Sequence, residues 1–132
     1  MLQSKDIIYP ELSFKINGIL FSVRKNLGQY KNEQQYCDAI EEELKKNKTT
    51  YEREKILLES FDGEQKGRNK IDFLIEDKII LEVKAKPFIT KSDYYQTRRY
   101  LDSLDKKLGL LVNMRRYSVN PKRILNSKCS HN

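Results

Sequence analysis

The chain has 132 residues, enough for one modest core, and its +7 net charge points to a polyanionic partner such as nucleic acid. No apolar run approaches the roughly 20 residues that a membrane span requires, and the start, MLQSKDIIYPEL, lacks a basic region followed by an apolar stretch. The expectation is therefore a cytoplasmic protein with two free thiols, Cys37 and Cys129. One histidine, His131, sits beside the C-terminus, which excludes a zinc site and serine–histidine or cysteine–histidine catalysis. Any chemistry here uses carboxylates and lysines.

In chain order, Leu12, Ile16, Ile19, Leu20 and Val23 recur at helical spacing and predict a helix over about 11–26, stopped at Gly28. Asn32 is placed to cap a second helix, about 33–47, with an inner stripe of Tyr36, Cys37, Ile40 and Leu44. Periodicity puts Glu33 on that stripe. The pattern then changes to a strand over 50–59, with a turn at Asp62-Gly63. Residues 70–84, KIDFLIEDKIILEVK, read as a hairpin with a short polar loop. Thr90 or Ser92 caps a third helix, about 93–106, carrying Tyr94, Tyr95, Tyr100, Leu101 and Leu104. LGLLVNM, with Gly109 near its start, is an apolar strand, and KRIL after Pro121 is an edge strand. The order is ααβββαβ with a final β: one domain over 1–126 and a loose tail over 127–132.

The hairpin carries the chemistry. Side chains alternate along a strand, so Ile71, Phe73, Ile75, Ile79, Leu81 and Val83 form one apolar face. The other face holds Asp72, Leu74, Ile80, Glu82 and Lys84. If Ile75 opposes Ile79, then Asp72 opposes Glu82, with Cβ atoms about 4.5–5.5 Å apart. Two carboxylates that close repel unless a cation lies between them, and Mg2+, with Mn2+ as a substitute, takes such oxygen ligands together with water and phosphate. Lys84 points to the same face and would stabilise charge on a phosphodiester under attack. The alternative is an exposed strand face with a Glu82–Lys84 salt bridge.

Asp72 followed ten residues later by Glu82-Val83-Lys84 resembles the PD-(D/E)XK nuclease signature. The match is similar to one branch, the GxxExxY proteins. It includes a helix motif at Glu33-Gln34-Gln35-Tyr36, the hairpin IDFLIEDKIILEVKA, a RecB-like Gln-x-x-x-Tyr pattern from Gln96 to Tyr100, and the closing strand LGLLVNM. It spans about residues 12–126. Two departures stand out: Tyr30 occupies the motif's glycine position, and Ile71 replaces the proline before the aspartate.

The resemblance implies an α/β fold with a restriction-endonuclease-like αβββαβ core, a mixed central sheet flanked by helices. It implies a metal-dependent nuclease acting on DNA in preference to RNA; a homodimer is a separate expectation, because a 132-residue core offers little surface to grip a duplex. The alternatives are a catalytically weak binding module in a defence or repair assembly, or an interaction domain whose acids only form salt bridges. In related nucleases a first-helix glutamate helps hold the metal or its water, which gives Glu33 that role here. The other reading of Glu33 is an acid favoured by the helix dipole. Gln96 is a candidate for orienting water or phosphate, or else a partly exposed helix polar residue. Lys86, Lys91, Arg98 and Arg99 are candidates for a phosphate path, and Tyr100, with Tyr94 and Tyr95, for stacking on bases or packing in the core.

Overall fold

The computed structural model describes residues 7–129. The first helix, α1 (Pro10–Leu27), starts with proline in the first turn, where its missing N–H costs nothing. It ends at Gly28, whose φ of 81° a side chain would resist. Helix α2 (Glu33–Lys46) opens on a complete capping box: the Asn32 side chain accepts from Gln35 N, and the Gln35 side chain accepts from Asn32 N. Strands β1 (Tyr51–Ile56), β2 (Lys70–Ile75) and β3 (Ile79–Lys84) follow, then helix α3 (Lys91–Leu104) and strands β4 (Leu108–Asn113) and β5 (Lys122–Leu125). Thr90 caps α3, again with a capping box, here to Asp93. The helix therefore begins two residues before the expected position, and it stops where Asp105 turns left-handed.

The five strands form one mixed sheet in sequence order, antiparallel except for the β3–β4 pair. Helix α3 makes the crossover that a parallel pair requires. Each face of the sheet carries its own apolar cluster. On one side Ile16, Ile19, Leu20 and Val23 of α1 and Tyr36, Cys37, Ile40 and Leu44 of α2 pack on Phe73, Ile75, Leu81, Val83 and Val112. On the other, Tyr100 and Leu101 of α3 pack on Ile71, Leu74, Ile80, Leu111 and Ile124. Both faces are covered, which is why β3 and β4 are almost wholly buried. Gly109 lets α3 approach closely: a Cβ there would lie 2.9 Å from Thr97 Cγ2. The α/β class with a five-stranded mixed sheet between helices is the expected architecture.

One expectation about the hairpin needs correction. Ile71 does not share a face with Phe73; it lies in the α3 cluster. Alternation breaks at Asp72, because the strand is irregular there. The β1–β2 register pairs Arg53 with Phe73 and Lys55 with Ile71 but leaves out Glu54 opposite Asp72, and Glu54 adopts φ 53°. A left-handed residue inside a strand bends it locally, as a bulge does. Residues 127–128 form a turn after β5, and the Cys129 thiol donates to Asp105 O at 3.3 Å. The rest of the expected tail, including His131, lies outside the described residues.

Candidate active site

The hairpin register pairs Ile75 with Ile79, Leu74 with Ile80 and Phe73 with Leu81, and carried one step further it sets Asp72 opposite Glu82. At that step the side chains take over from the ladder. Asp72 N donates to Glu82 Oε2 at 3.2 Å, and Val83 N donates to Asp72 Oδ2 at 2.7 Å. Each carboxylate is thus oriented by a backbone N–H of its neighbourhood. Glu82 is 4% exposed. Burial first, and then the Asp72 carboxylate, hold its pKa well above the ordinary value. Facing acids repel unless a positive charge lies between them, and an all-oxygen donor pair suits a hard divalent ion.

Lys84 leaves the same strand two residues later, with its side chain mostly buried. Its ammonium does not ion-pair with Glu82; it lies 3.9 Å from Asp93 Oδ1. Lys86 Nζ approaches the other oxygen of Asp93 at 2.5 Å. Asp93 is the capping-box acid of α3, and its Oδ2 also accepts from Thr90 N and Thr90 Oγ1 at 2.8 and 3.0 Å. Burial pushes the Asp93 carboxyl upward, but the Lys86 ammonium and the Thr90 donors outweigh it and leave the pKa below the usual value. One buried carboxylate therefore fixes the start of α3 and holds two hairpin lysines. Sequence reading missed it, although the Thr90-x-x-Asp93 spacing was visible.

Asn113, at the end of β4, was missed as well. It is buried, and its side chain accepts from Lys86 N at 3.1 Å and donates to Lys86 O at 2.7 Å. It also accepts from Arg115 N at 3.2 Å. These bonds splice the chain after Lys84 to the turn after β4.

The remaining candidates fall in different places. Glu33 lies in the exposed first turn of α2, beyond the buried stripe that begins at Tyr36, so the inner position inferred from periodicity is corrected. Among the described residues no three His, Cys, Asp or Glu side chains gather as a metal-holding group, so the structure unites Asp72 and Glu82 but not Glu33. Cys37, one turn along α2, senses all three acids: burial and then Asp72 push its thiol up to about 12. That thiol is inert as a nucleophile. Tyr100 is 5% exposed inside the α3 cluster, which rules out stacking on a base. Instead its hydroxyl lies near Glu82 and the Lys70 backbone N–H. Tyr94 is half-buried and Tyr95 exposed, while Gln96 and Arg98 are half-buried and Lys91 and Arg99 exposed. Arg98 keeps a buried Nε without a partner.

Among the described residues, no helix is long and apolar enough to cross a membrane. No curated protein and no solved structure matches the chain. A family model described as the PD-(D/E)XK nuclease superfamily matches residues 10–124, which takes in both helices before the sheet, the Asp72–Lys84 hairpin, α3 and β4. With the fold and the paired carboxylates in agreement with that match, the chain belongs to the PD-(D/E)XK nuclease superfamily.

Proposed function

We propose that the chain is a Mg2+-dependent nuclease that hydrolyses phosphodiester bonds in DNA, of the GxxExxY branch with its RecB-like Gln-x-x-x-Tyr helix. Superfamily membership supports nuclease-type chemistry on nucleic acid with a divalent ion. The observation that carries the finer reading is the hydrogen-bonded meeting of half-buried Asp72 and buried Glu82, with Lys84 two residues along the same strand and ion-paired to Asp93.

Asp72 and Glu82 would hold the ion, with Glu33 reaching it from outside through water. When bound, a divalent ion polarises the phosphoryl oxygen and makes its water a stronger nucleophile. The chain's own groups do the rest. The Val83 and Asp72 N–H groups keep both carboxylates turned toward one another. Lys84, held near Asp93, presents its ammonium to the phosphate and stabilises the charge that develops there. Gln96 orients the phosphate or its water, and Arg98, Arg99 and Lys91 line the approach along α3. Lys86 serves this path indirectly, through Asp93.

Pairing of two copies is supported by the outer stripe of α1. Glu11, Phe14, Gly18, Phe21 and Lys25 follow a three-four spacing, and all are exposed, Phe14 at 81%. The space above Gly18 is open. If two α1 helices cross antiparallel at Gly18, Phe14 meets Phe21 of the second copy. Glu11 then meets its Lys25, each about 10 Å from the axis.

The decisive experiment incubates the protein with single-stranded, duplex and branched DNA, and with RNA, in Mg2+ or Mn2+. Lys84→Ala is the control. Metal-dependent cleavage that the variant lacks supports the reading. Binding with no cleavage under any metal condition gives the lead to a binding module of the same fold.

A further inference from the structure

A groove of about 460 Å3 lies between the loop that precedes α2 and the turn that follows β4. Tyr30, Lys31 and Glu33 form one wall, and Ala85 and Arg115 the other. Ala85 directly follows Lys84, so the groove opens one residue from the reactive lysine. Glu33, exposed in the first turn of α2, forms part of its other margin.

Its lining sets an aromatic ring beside a cation. Tyr30 is 79% exposed. The Arg115 guanidinium lies over its ring, 5.8 Å from the centroid. Arg115 has no carboxylate partner among the described residues. Its Nη2 donates to Ala85 O at 3.3 Å, and its buried Nε has no partner. An exposed aromatic ring beside an unneutralised guanidinium offers a π-face and a positive charge together.

The two walls are also fastened. Gln29 Nε2 donates to Arg115 O at 2.8 Å, joining the loop to the turn. The Tyr36 hydroxyl donates to Gly28 O at 2.5 Å and accepts from Lys31 N at 3.2 Å, which holds the Tyr30 loop from beneath. Arg115 N is tied to the buried Asn113. A ring held ready costs little ordering on binding.

We propose that this groove binds a single-stranded stretch of nucleic acid next to the scissile phosphate, with Tyr30 stacked on a base and Arg115 and Lys31 on its phosphates. The proposal rests on the nuclease reading and assigns its substrate a structure. Bases within a duplex have both faces stacked, so an exposed ring beside the site is useful only to an unstacked base. Backbone contacts alone, as from α3, would serve either form.

The test uses the whole 132-residue chain carrying Lys84→Ala, so that nucleic acid is not consumed, and fluorescence anisotropy with single-stranded and duplex oligonucleotides. Adding Tyr30→Ala should weaken single-strand binding about tenfold or more, from the stacking of one base. Tyr30→Trp should restore it, and duplex affinity should stay unchanged. Arg115→Gln should flatten the dependence of log affinity on log salt by about one contact's worth. Melting curves for each variant establish that it is folded. Equal losses for both forms, or no loss with Tyr30→Ala, overturn the groove while leaving the nuclease reading in place. If neither the wild type in chelator nor the Lys84→Ala protein binds either form, both readings fall.

Discussion

The Asp93 carboxylate lies 3.9 Å from the Lys84 ammonium and 2.5 Å from that of Lys86, so an acid from α3 holds the two lysines at the end of β3. The ion pair that Lys84 makes is with Asp93, and in the proposed nuclease the acid pair is left for a metal and the ammonium for the phosphate.

Lys84→Ala should lower cleavage on the order of a hundredfold or more, the usual cost of losing a group that stabilises transition-state charge. Metal-induced stabilisation should survive, because Asp72 and Glu82 remain. Arginine at 84 should rescue only in part, its planar fork differing from a compact ammonium. Cleavage rates and melting with and without Mg2+ on the same samples check this. Equal cutting by wild type and Lys84→Ala would reduce Lys84 to a partner of Asp93.

Asp72→Asn should abolish the rise in melting temperature that Mg2+ or Mn2+ produces in the wild type. In chelator the variant should be at least as stable, since buried Glu82 no longer faces a second acid and the asparagine oxygen can still accept from Val83 N. A metal shift of the same size in both proteins would remove the site as drawn.

Asp93→Asn should destabilise the protein by about 1–3 kcal/mol near neutral pH, through the lost pairing of Lys84 and Lys86, while the asparagine oxygen can still accept from Thr90 N. The folded pKa of Asp93 is depressed, so its contribution is fully present above the unfolded value of 3.8. It is lost as pH falls through the lower folded value. Denaturant titrations of wild type and variant should therefore converge under acid conditions, and a gap that stays constant there would contradict the pairing. Cleavage should fall as well, with the metal-induced melting shift kept, because the change acts on Lys84 and not on the acids.

Arg98→Ala or Arg99→Ala should weaken binding similarly across nucleic-acid sequences and flatten its salt dependence by about one contact each. Lys86→Ala should mainly cost stability, its ammonium being engaged by Asp93. A sequence-selective loss at Arg98 or Arg99 would indicate base readout and count against a phosphate path.

Lys25→Glu and Glu11→Lys should each weaken self-association measured by sedimentation over a concentration series, and the double reversal should restore it. Gly18→Leu should block it. Buried aromatic area from four phenylalanines, roughly 150–250 Å2 each at most, makes a small interface and hence a concentration-dependent one. A wild type that stays monomeric at every concentration removes the dimer.

The local periods of the chain were enough to place all eight elements, because apolar spacing, caps and the Glu76-Asp77-Lys78 loop act over a few residues. Hairpin register was equally legible: once Ile75 opposes Ile79, Asp72 must oppose Glu82. What escaped was whatever depends on residues far apart in sequence. The irregularity at Asp72 falls where the β1–β2 ladder skips left-handed Glu54, and Ile71 beyond it lies on the other face. Glu33 matched the helical period but lies where α2 extends past the core, and Tyr100 had a base-stacking composition but a buried place. Asp93 on Lys84, Asn113 on Lys86 and Arg115 over Tyr30 each join two segments that only the closed sheet brings together. Sequence alone determined which residues carry charge and at what local period. Tertiary structure decided which charges are buried and with whom, because burial and Coulomb interaction depend on distance in space and not along the chain.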